Sequence, residues 1–325
     1  MTNRNLVCGM TLETGWPLIT PLLPTTKGPD LRFVVTTTAP GEGSWQSSRE
    51  ATWPDGRRYL AVGRIGDVEV IRFRGVGDAW FMADDLVVFH LTHRDHDDMV
   101  EGFLLGPLLA TWLERNGRVV LHGAAAVDNG RAIGFLGRSG VGKSTLAMGL
   151  VERGGLLITD DLLAICVDGG RAWTHPSFSQ LRLWPDDARR FIGSIDGLEP
   201  TYPGNDKLRL PLSDAQFASD PVELTALYLP QRDPNIAEVK IEPMTGADAL
   251  FALLLDTFAE ELISTTEHRR SWVAGVGRLL SAVPLFRLTY PDDAGAVDDV
   301  AATVVAHAGR QSKPVAGGTA VVSGR

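Results

Sequence analysis

The sequence contains very little cysteine: only Cys8 and Cys166 occur among its 325 residues. One pair of cysteines cannot form the network of disulfides on which small secreted domains depend. The first residues also lack the basic stretch followed by an apolar stretch that marks a secretory signal peptide. We therefore expect a cytoplasmic protein in a reducing environment.

The sequence also lacks a net positive charge and long apolar runs. The formal net charge is −9, which argues against nonspecific binding of nucleic acid or of an anionic membrane surface. The longest apolar run, from Phe103 to Leu113, contains Gly106 and Pro107 and is too short to span a bilayer. The sequence accordingly predicts neither a nucleic-acid partner nor a membrane partner.

What remains is the composition of a globular enzyme, with 44% hydrophobic and 22% charged residues. Residues 32–90 hold short runs rich in β-branched and aromatic residues, separated by Gly, Asp and Pro, and this pattern predicts hairpins. Residues 1–30 are rich in Pro, Thr and Gly, so we expect irregular chain there. Apolar positions at helical spacing predict a helix over residues 98–116, bent at Pro107.

From residue 117 onward, strand-like and helix-like segments alternate, and this alternation predicts an α/β sheet covered by helices. A chain of this length exceeds what one compact core usually holds. The predicted organisation is a smaller β-rich N-terminal domain (residues 1–97), a connecting helix (98–116), an α/β domain (117–310) and a flexible tail (311–325).

One segment has a specific chemical meaning. Residues 137–145 read Gly-Arg-Ser-Gly-Val-Gly-Lys-Ser-Thr and fit the pattern G-x-x-x-x-G-K-[ST] of a phosphate-binding P-loop. A strand-like run precedes the segment and a helix-like run follows it, as phosphate binding by backbone N–H groups and a helix N-terminus requires. The nucleotide-binding residues predicted on this basis are Gly137, Ser139, Gly140, Val141, Gly142, Lys143, Ser144 and Thr145.

Other polar residues near the P-loop are candidates for catalysis. Lys143 is expected to reach the terminal phosphates, and the Ser144 hydroxyl to bind Mg²⁺. Asp160 and Asp161 end the next strand-like run, where carboxylates can hold Mg²⁺ or accept a proton from an attacking hydroxyl. His122 is predicted to lie at the end of the strand before the P-loop unit, a position where a histidine is more often a core residue.

The order of these elements resembles the HPr kinase/phosphorylase family and, more distantly, the phosphoenolpyruvate carboxykinases. The matching elements are, in order, His122-Gly123, the P-loop, Arg153-Gly154-Gly155 and Thr159-Asp160-Asp161. The resemblance covers residues 119–168 closely. It implies an α/β fold with a P-loop kinase core of the HPr kinase C-terminal domain type, with ATP and Mg²⁺ as cofactors, and it is compatible with a homo-oligomer.

The resemblance also implies roles for individual residues. Asp161 would be the catalytic carboxylate that takes the proton from an acceptor serine. Asp160 would lie near the metal together with Ser144. His122 would orient this acidic cluster, and Lys143 would bind phosphate.

Two later stretches differ from HPr kinases. The Ile-Arg-Gly-x-Gly signature of that family is absent from the sequence. Residues 180–187 and 205–212 instead resemble HPr-kinase-like proteins of bacterial peptide biosynthesis clusters, including kinases that phosphorylate the C-terminal serine of lasso-peptide precursors. Three basic residues there are candidates for holding the transferring phosphate or an acidic peptide terminus, with a surface position as an equal alternative: Arg182, Lys207 and Arg209.

The sequence thus predicts a kinase that transfers the γ-phosphate of ATP to a hydroxyl, on a serine of a peptide or protein such as a lasso-peptide precursor. A kinase of a small-molecule hydroxyl and a non-catalytic nucleotide-binding regulator are the alternatives. The pair Asp160 and Asp161 favours an enzyme, because a protein that only binds nucleotide needs no positioned base.

Overall fold

The computed structural model describes residues 2–52, 55–201, 205–258, 262 and 266–311. These residues form a mixed α/β structure with a nine-stranded sheet, an eight-stranded sheet, a two-stranded ribbon and seven α-helices. None of the helices within them is both long and apolar enough to cross a membrane. The predicted flexible tail, apart from its first residue, lies outside the described residues.

The first sheet is built from the N-terminal part of the chain. Its strands are β1 (Asn3–Val7), β2 (Met10–Thr14), β3 (Leu23–Pro24), β4 (Leu31–Thr36), β5 (Trp45–Thr52), β6 (Arg58–Ile65), β7 (Val68–Phe73), β8 (Gly77–Ala83) and β9 (Leu86–Leu91). They lie side by side in the order β3-β1-β2-β4-β9-β8-β7-β6-β5. The hairpins predicted for residues 32–90 are confirmed for β5 to β9, which pair successively in antiparallel fashion. The prediction is wrong for β4, which pairs in parallel with β2 and β9.

The prediction of irregular chain for residues 1–30 was wrong. β1 and β2 form a hairpin whose two turn residues, Cys8 and Gly9, have positive φ angles of 51° and 76°. Tight two-residue hairpin turns require positive φ, and glycine adopts it without strain. Val7 and Leu12 are fully buried, so core contacts that the composition does not reveal hold this hairpin in place.

A helical segment follows the first sheet. It consists of a 3₁₀ turn (Arg94–Met99), α1 (Val100–Phe103), a π-helical turn (Leu104–Leu108) and α2 (Leu109–Arg115). The bend falls at Gly106, whose φ of −108° and ψ of −107° are not helical. Proline disfavours the helical conformation of the preceding residue, so the bend lies one residue before the predicted position, Pro107.

The remaining strands form the second sheet and the ribbon. They are β10 (Val119–Asp128), β11 (Arg131–Leu136), β12 (Leu156–Thr159), β13 (Leu162–Asp168), β14 (Arg171–Thr174), β15 (Gln180–Leu183), β16 (Leu208–Pro211), β17 (Val222–Asp233), β18 (Lys240–Met244) and β19 (Leu285–Pro291). β15 and β16 form the ribbon. In the sheet, β11 lies between β10, which is antiparallel to it, and β17, which is parallel to it and pairs in parallel with β19. The sheet is mixed because Asn129-Gly130, a favoured two-residue turn, joins β10 directly to β11.

Helices cover both faces of the second sheet. They are α3 (Lys143–Glu152), α4 (Pro185–Ile192), α5 (Gly246–Leu255), α6 (Thr266–Ala282) and α7 (Val297–Gln311). Ile133 and Phe135 of β11 belong to a core shared with α3 and α7, whereas Ala132 and Leu136 belong to a core shared with α5 and α6. Successive side chains of a strand point to opposite faces, so both cores hold β11 and fix the point at which the P-loop begins.

Candidate active site

The P-loop connects the end of β11 to the start of α3. Gly140 and Gly142 have φ angles of 89° and 97°, a region that other residues rarely adopt. At Gly142 a Cβ atom would also lie 2.6 Å from the hydroxyl oxygen of Tyr290. Glycine is therefore required at this position both by the backbone and by the close approach of Tyr290.

Lys143 is the first residue of α3 and is only 6% exposed. Its ammonium group donates hydrogen bonds to the carbonyl oxygens of Gly137, at 2.6 Å, and Arg138, at 3.0 Å. Burial lowers the pKa of Lys143 to about 8, although the charges of Asp160 and Asp161 oppose this shift. The lysine is thus a buried cation held against the P-loop.

Asp160 is bonded to the P-loop directly. The Ser144 hydroxyl donates a hydrogen bond to Oδ1 of Asp160 at 2.8 Å, and the backbone N–H of Arg182 donates to Oδ2 at 2.7 Å. Asp160 is 2% exposed. Its burial, together with the charge of Asp161, raises its pKa, while the two hydrogen bonds act in the opposite direction.

The oxygens of Ser144 and Asp160 fit a magnesium ion. In nucleotide sites Mg²⁺ takes one or two protein ligands, and phosphate and water oxygens complete its shell. Such a site needs no larger cluster of protein ligands. Among the described residues, no group of three or more His, Cys, Asp or Glu side chains is arranged to hold a metal. The Ser144 hydroxyl at the start of α3 and the Asp160 carboxylate bonded to it are both hard oxygen donors, and they suit this ion.

Asp161 lies at a break within a longer β segment. β12 and β13 both pair with β10, and Asp160 and Asp161 link them irregularly. Asp160 and Asp161 therefore interrupt a strand where the sequence had predicted its end. After them, the chain pairs with β10 again. The φ of Asp161 is 76°. Aspartate tolerates this left-handed conformation better than most residues, at a cost of about 1–3 kcal/mol, and such strain is concentrated at functional sites.

Two side chains hold the carboxylate of Asp161. Arg182 Nη1 donates to Oδ2, and His122 Nδ1 lies 3.2 Å from Oδ1. Burial alone would raise the pKa of Asp161, but the neighbouring basic side chains, above all Arg182, outweigh burial and hold the pKa below its usual value. Asp161 is therefore ionised at neutral pH.

His122 is the fourth residue of β10 and not the end of a strand, as the sequence had predicted. The strand continues because the small residues that follow are buried between the two cores. His122 pairs with Leu162, next to Asp161, and its backbone N–H donates to the carbonyl oxygen of Asp256 at 2.7 Å. Burial lowers the pKa of His122 despite the opposing charge of Asp161, so the imidazole is neutral at pH 7. A hydrogen bond to Asp161 then requires the proton on Nδ1.

The structure distinguishes two arginines for which the sequence predicted the same roles. Arg182 and Arg209 are Cα partners across the ribbon of β15 and β16. Arg182 contacts Asp161, whereas the guanidinium of Arg209 lies 3.3 Å from the carboxylate of Glu101 and donates to the carbonyl oxygen of Thr201. Of the two alternatives that the sequence left open for Arg209, the contacts favour a structural charge, since Arg209 joins the ribbon to α1.

Lys207 lies at the edge of the candidate site. Its charge is among those that lower the pKa of Asp161 and of His122. Its Nζ lies 5.7 Å from the ring centroid of Trp184. Trp184 is 42% exposed, although large aromatic side chains are usually buried. Lys207 thus brings a cation whose charge acts on Asp161, and a partly exposed aromatic ring lies next to that cation.

The other P-loop residues occupy the outer part of the loop or contact neighbouring elements. Ser139 is exposed. The carbonyl oxygen of Val141 accepts a hydrogen bond from the Tyr290 hydroxyl at 3.0 Å. The Thr145 hydroxyl donates to Asp187 Oδ2 at 3.2 Å, so this side chain ties α3 to α4.

Three residues near the P-loop belong to no sequence motif. Asp256 follows α5 and is 7% exposed; burial raises its pKa to about 6 against the charges of Lys143 and Arg138. Arg232 and Tyr290 lie at the ends of β17 and β19. In α/β sheets, ligands bind at the carboxyl ends of parallel strands, and this rule applied to β17 and β19 would have found Arg232 and Tyr290.

Comparison with known proteins gives a coarse likeness to solved structures. No family model matches the sequence, and no curated protein matches it. Among solved structures, the Hpr(Ser) kinase/phosphatase from Coxiella burnetii aligns with 59% of this chain and 97% of its own, at 10% sequence identity and a TM-score of 0.33. At this identity and TM-score the likeness says nothing about substrates or chemistry.

Proposed function

We propose that the protein is a phosphotransferase that moves the γ-phosphate of ATP to a hydroxyl group in the presence of Mg²⁺. One arrangement carries this proposal: the ionised carboxylate of Asp161, held by Arg182 and His122, adjoins Asp160, which is bonded to Ser144 of the P-loop. A protein that only binds nucleotide has no use for a second, ionised carboxylate beside the phosphate site.

The P-loop and its neighbours bind the donor. Backbone N–H groups of the loop and the N-terminus of α3 bind the phosphates, and Lys143 adds a positive charge beside the β- and γ-phosphates. Ser144 and Asp160 would hold Mg²⁺, which when bound neutralises phosphate charge. Fixed position and fixed charge thus supply most of the rate, as expected for phosphoryl transfer.

Asp161 acts on the acceptor. The acceptor oxygen attacks the γ-phosphorus, a new P–O bond forms, and the bond to the β–γ bridging oxygen breaks so that ADP leaves with its electron pair. The hydroxyl proton goes to the Asp161 carboxylate. The lowered pKa of Asp161 makes it a weak base at first, but the hydroxyl becomes acidic as its oxygen bonds to phosphorus.

His122 and Arg182 position this carboxylate. Each contacts a different oxygen of Asp161, so the orientation of the carboxylate is fixed in a backbone conformation that is itself unusual. Because the pKa of His122 is lowered, the histidine fixes Asp161 without adding a full positive charge that would weaken the base further.

The acceptor in this proposal is a serine of a peptide or protein, such as the terminal serine of a lasso-peptide precursor. Lys207 and Trp184 support a peptide over a small alcohol, because they offer a cation whose charge acts on Asp161 and, next to it, a partly exposed ring. Small-molecule sites are usually enclosed clefts that cover most of the ligand.

The test combines ATP binding with phosphate transfer. Wild-type protein and Asp161→Asn are incubated with ATP, Mg²⁺ and a panel of serine peptides, including peptides that end in serine, and products are measured by mass spectrometry. We expect Asp161→Asn to bind ATP but to lose transfer by roughly 10²–10⁴-fold, because an amide cannot take the proton. Asparagine also accepts the left-handed backbone at this position, so the variant is expected to fold.

Asp168→Asn, at the exposed end of β13, is the matched control and should transfer phosphate at the wild-type rate. Wild-type transfer by Asp161→Asn would show that the base is assigned wrongly. A wild-type protein that binds no ATP would refute the proposed function. Phosphorylation of small alcohols without any peptide product would support the small-molecule alternative.

A further inference from the structure

β17 and β19 extend beyond the strand that carries the P-loop. Phe135 of β11 lies opposite Tyr228 of β17, and β11 ends one residue later, at Leu136. β17 continues five residues past Tyr228, to Asp233, a length of roughly 16 Å at the usual rise per residue. β19 runs beside β17 as far as Pro291. The ends of these two strands therefore stand alongside the P-loop.

A short chain of contacts ties these strand ends to the P-loop. Arg232 and Tyr290 are Cα partners. The Tyr290 hydroxyl donates to the carbonyl oxygen of Val141 at 3.0 Å, and Arg232 Nε donates to the Tyr290 oxygen at 3.4 Å. Arg232 Nη1 lies 3.4 Å from Oδ1 of Asp292. Burial raises the pKa of Tyr290, so its hydroxyl keeps its proton at neutral pH.

The other terminal nitrogen of Arg232 faces the P-loop. Nη2 lies 3.4 Å from the position that a Cβ atom of Gly142 would occupy, and the Arg232 side chain is 38% exposed. A guanidinium offers five N–H donors in a planar fork that matches the geometry of phosphate oxygens. Arg232 is thus an accessible cation next to the loop, held by Tyr290 and Asp292.

Arg232 and the transfer chemistry lie on opposite sides of β11. His122 belongs to β10 and contacts Asp161, whereas Arg232 belongs to β17, and β10 and β17 flank β11 on its two sides. In the proposed reaction, the γ-phosphate must be near Asp161. The other end of a triphosphate lying along the loop therefore points toward β17 and β19.

We propose that Arg232 binds the α-phosphate of a nucleoside triphosphate donor and thereby favours a nucleotide over inorganic pyrophosphate. Tyr290 and Asp292 position the guanidinium, and Gly142, which has no side chain, allows Arg232 and Tyr290 to lie close to the loop. This inference rests on the proposed phosphotransferase function and adds a binding residue for its donor.

Calorimetry with two ligands tests the inference. A nonhydrolysable ATP analogue and inorganic pyrophosphate, each with Mg²⁺, are titrated into wild-type protein, Arg232→Ala and Arg232→Gln. We expect both variants to bind the analogue roughly 10- to 100-fold more weakly, the range for loss of a charge-assisted contact. Their affinity for pyrophosphate should stay close to that of the wild type, because pyrophosphate has no α-phosphate.

Arg171→Ala is the matched control. Arg171 pairs with Glu223 near the start of β17, at the opposite end of the strand from Arg232, and its removal should change neither affinity. Arg232→Gln keeps much of the side-chain length, and a thermal unfolding curve for each variant shows that the fold is intact.

The possible results separate this inference from the function on which it rests. Equal weakening of both ligands, or no weakening of either, would overturn the α-phosphate assignment while leaving the phosphotransferase proposal in place. If the wild-type protein binds neither ligand, or if Lys143→Met binds the analogue as tightly as the wild type, the proposed function fails and the assignment of Arg232 fails with it.

Discussion

The nine-stranded sheet and the P-loop edge of the second sheet arrange charge in opposite ways. In the first sheet, the ion pair Arg32–Asp85 is exposed on both partners. At the P-loop edge, four charged residues lie in one mostly buried cluster and influence one another's pKa values through their charges: Lys143, Asp160, Asp161 and Arg182. Exposed pairs contribute little to stability, whereas clustered, partly buried charges shift one another's pKa values and mark a candidate active site.

The two regions also differ in where the backbone takes a positive φ at a residue other than glycine. In the first sheet this occurs at Cys8, where a hairpin turn demands it. Near the P-loop it occurs at Asp161, between two strands that could otherwise continue as one. A positive φ in a turn reflects connection geometry, whereas the same angle at a paired carboxylate points to function.

The largest effect is expected from removing the buried cation of the P-loop. Lys143→Met should lower phosphate transfer by roughly 10²–10³-fold, because one fixed stabilising contact to the reacting phosphates is lost. Steady-state rates with ATP and an accepted peptide measure this. Lys27→Met, the same change at an exposed residue near the first sheet, is the control. If both variants lowered the rate equally, the contrast between the two regions would be wrong.

The next effect separates the two arginines of the ribbon. Arg182→Ala should lower transfer by roughly 10- to 100-fold, because Asp161 loses a charge-assisted contact. Arg209→Ala should leave the turnover rate near wild type but lower the free energy of unfolding by roughly 1–3 kcal/mol, because Glu101 loses its cation. Rates and chemical denaturation curves for both variants are the measurements, and the reverse pattern would contradict the placement of Arg209.

A pH titration of nucleotide binding tests the charge of the cluster. Lys143 has a pKa lowered to about 8, so its ammonium form predominates below that pH and is lost above it. Nucleotide affinity should therefore fall as the pH rises above about 8, by up to about tenfold per pH unit. Asp256, whose pKa is about 6, has already lost its proton in this range. Calorimetry on Lys143→Met should show no fall in nucleotide affinity over this pH range. If the variant shows the same fall as the wild type, the titrating group is not Lys143.

The smallest effect is expected from an exposed ion pair of the first sheet. Arg32→Ala should lower the free energy of unfolding by at most about 1 kcal/mol, because water screens the pair with Asp85. Denaturation of Arg32→Ala, Asp85→Ala and the double variant gives the coupling energy of the pair. A coupling well above about 1 kcal/mol would show that this surface pair behaves like the buried cluster.

Prediction from the sequence was accurate where the pattern is local. The strand before the P-loop, the helix after it and the hairpins of β5 to β9 all follow from residues close together in sequence. The predictions were wrong where the structure depends on contacts between residues that are distant in sequence. The strands within residues 1–30 depend on burial against the first core, and the position of His122 within β10 depends on pairing with β11, β12 and β13.

The sequence by itself determined the loop that we propose binds phosphate, because everything the motif needs is consecutive: glycines that accept positive φ, a lysine at the start of a helix and a serine beside it. Only the tertiary structure decided which cations surround the site. Arg182 and Arg209 occupy similar apolar strands, yet one reaches Asp161 and the other Glu101. Burial and strand register arise where distant segments meet, and no local pattern of residues carries that information.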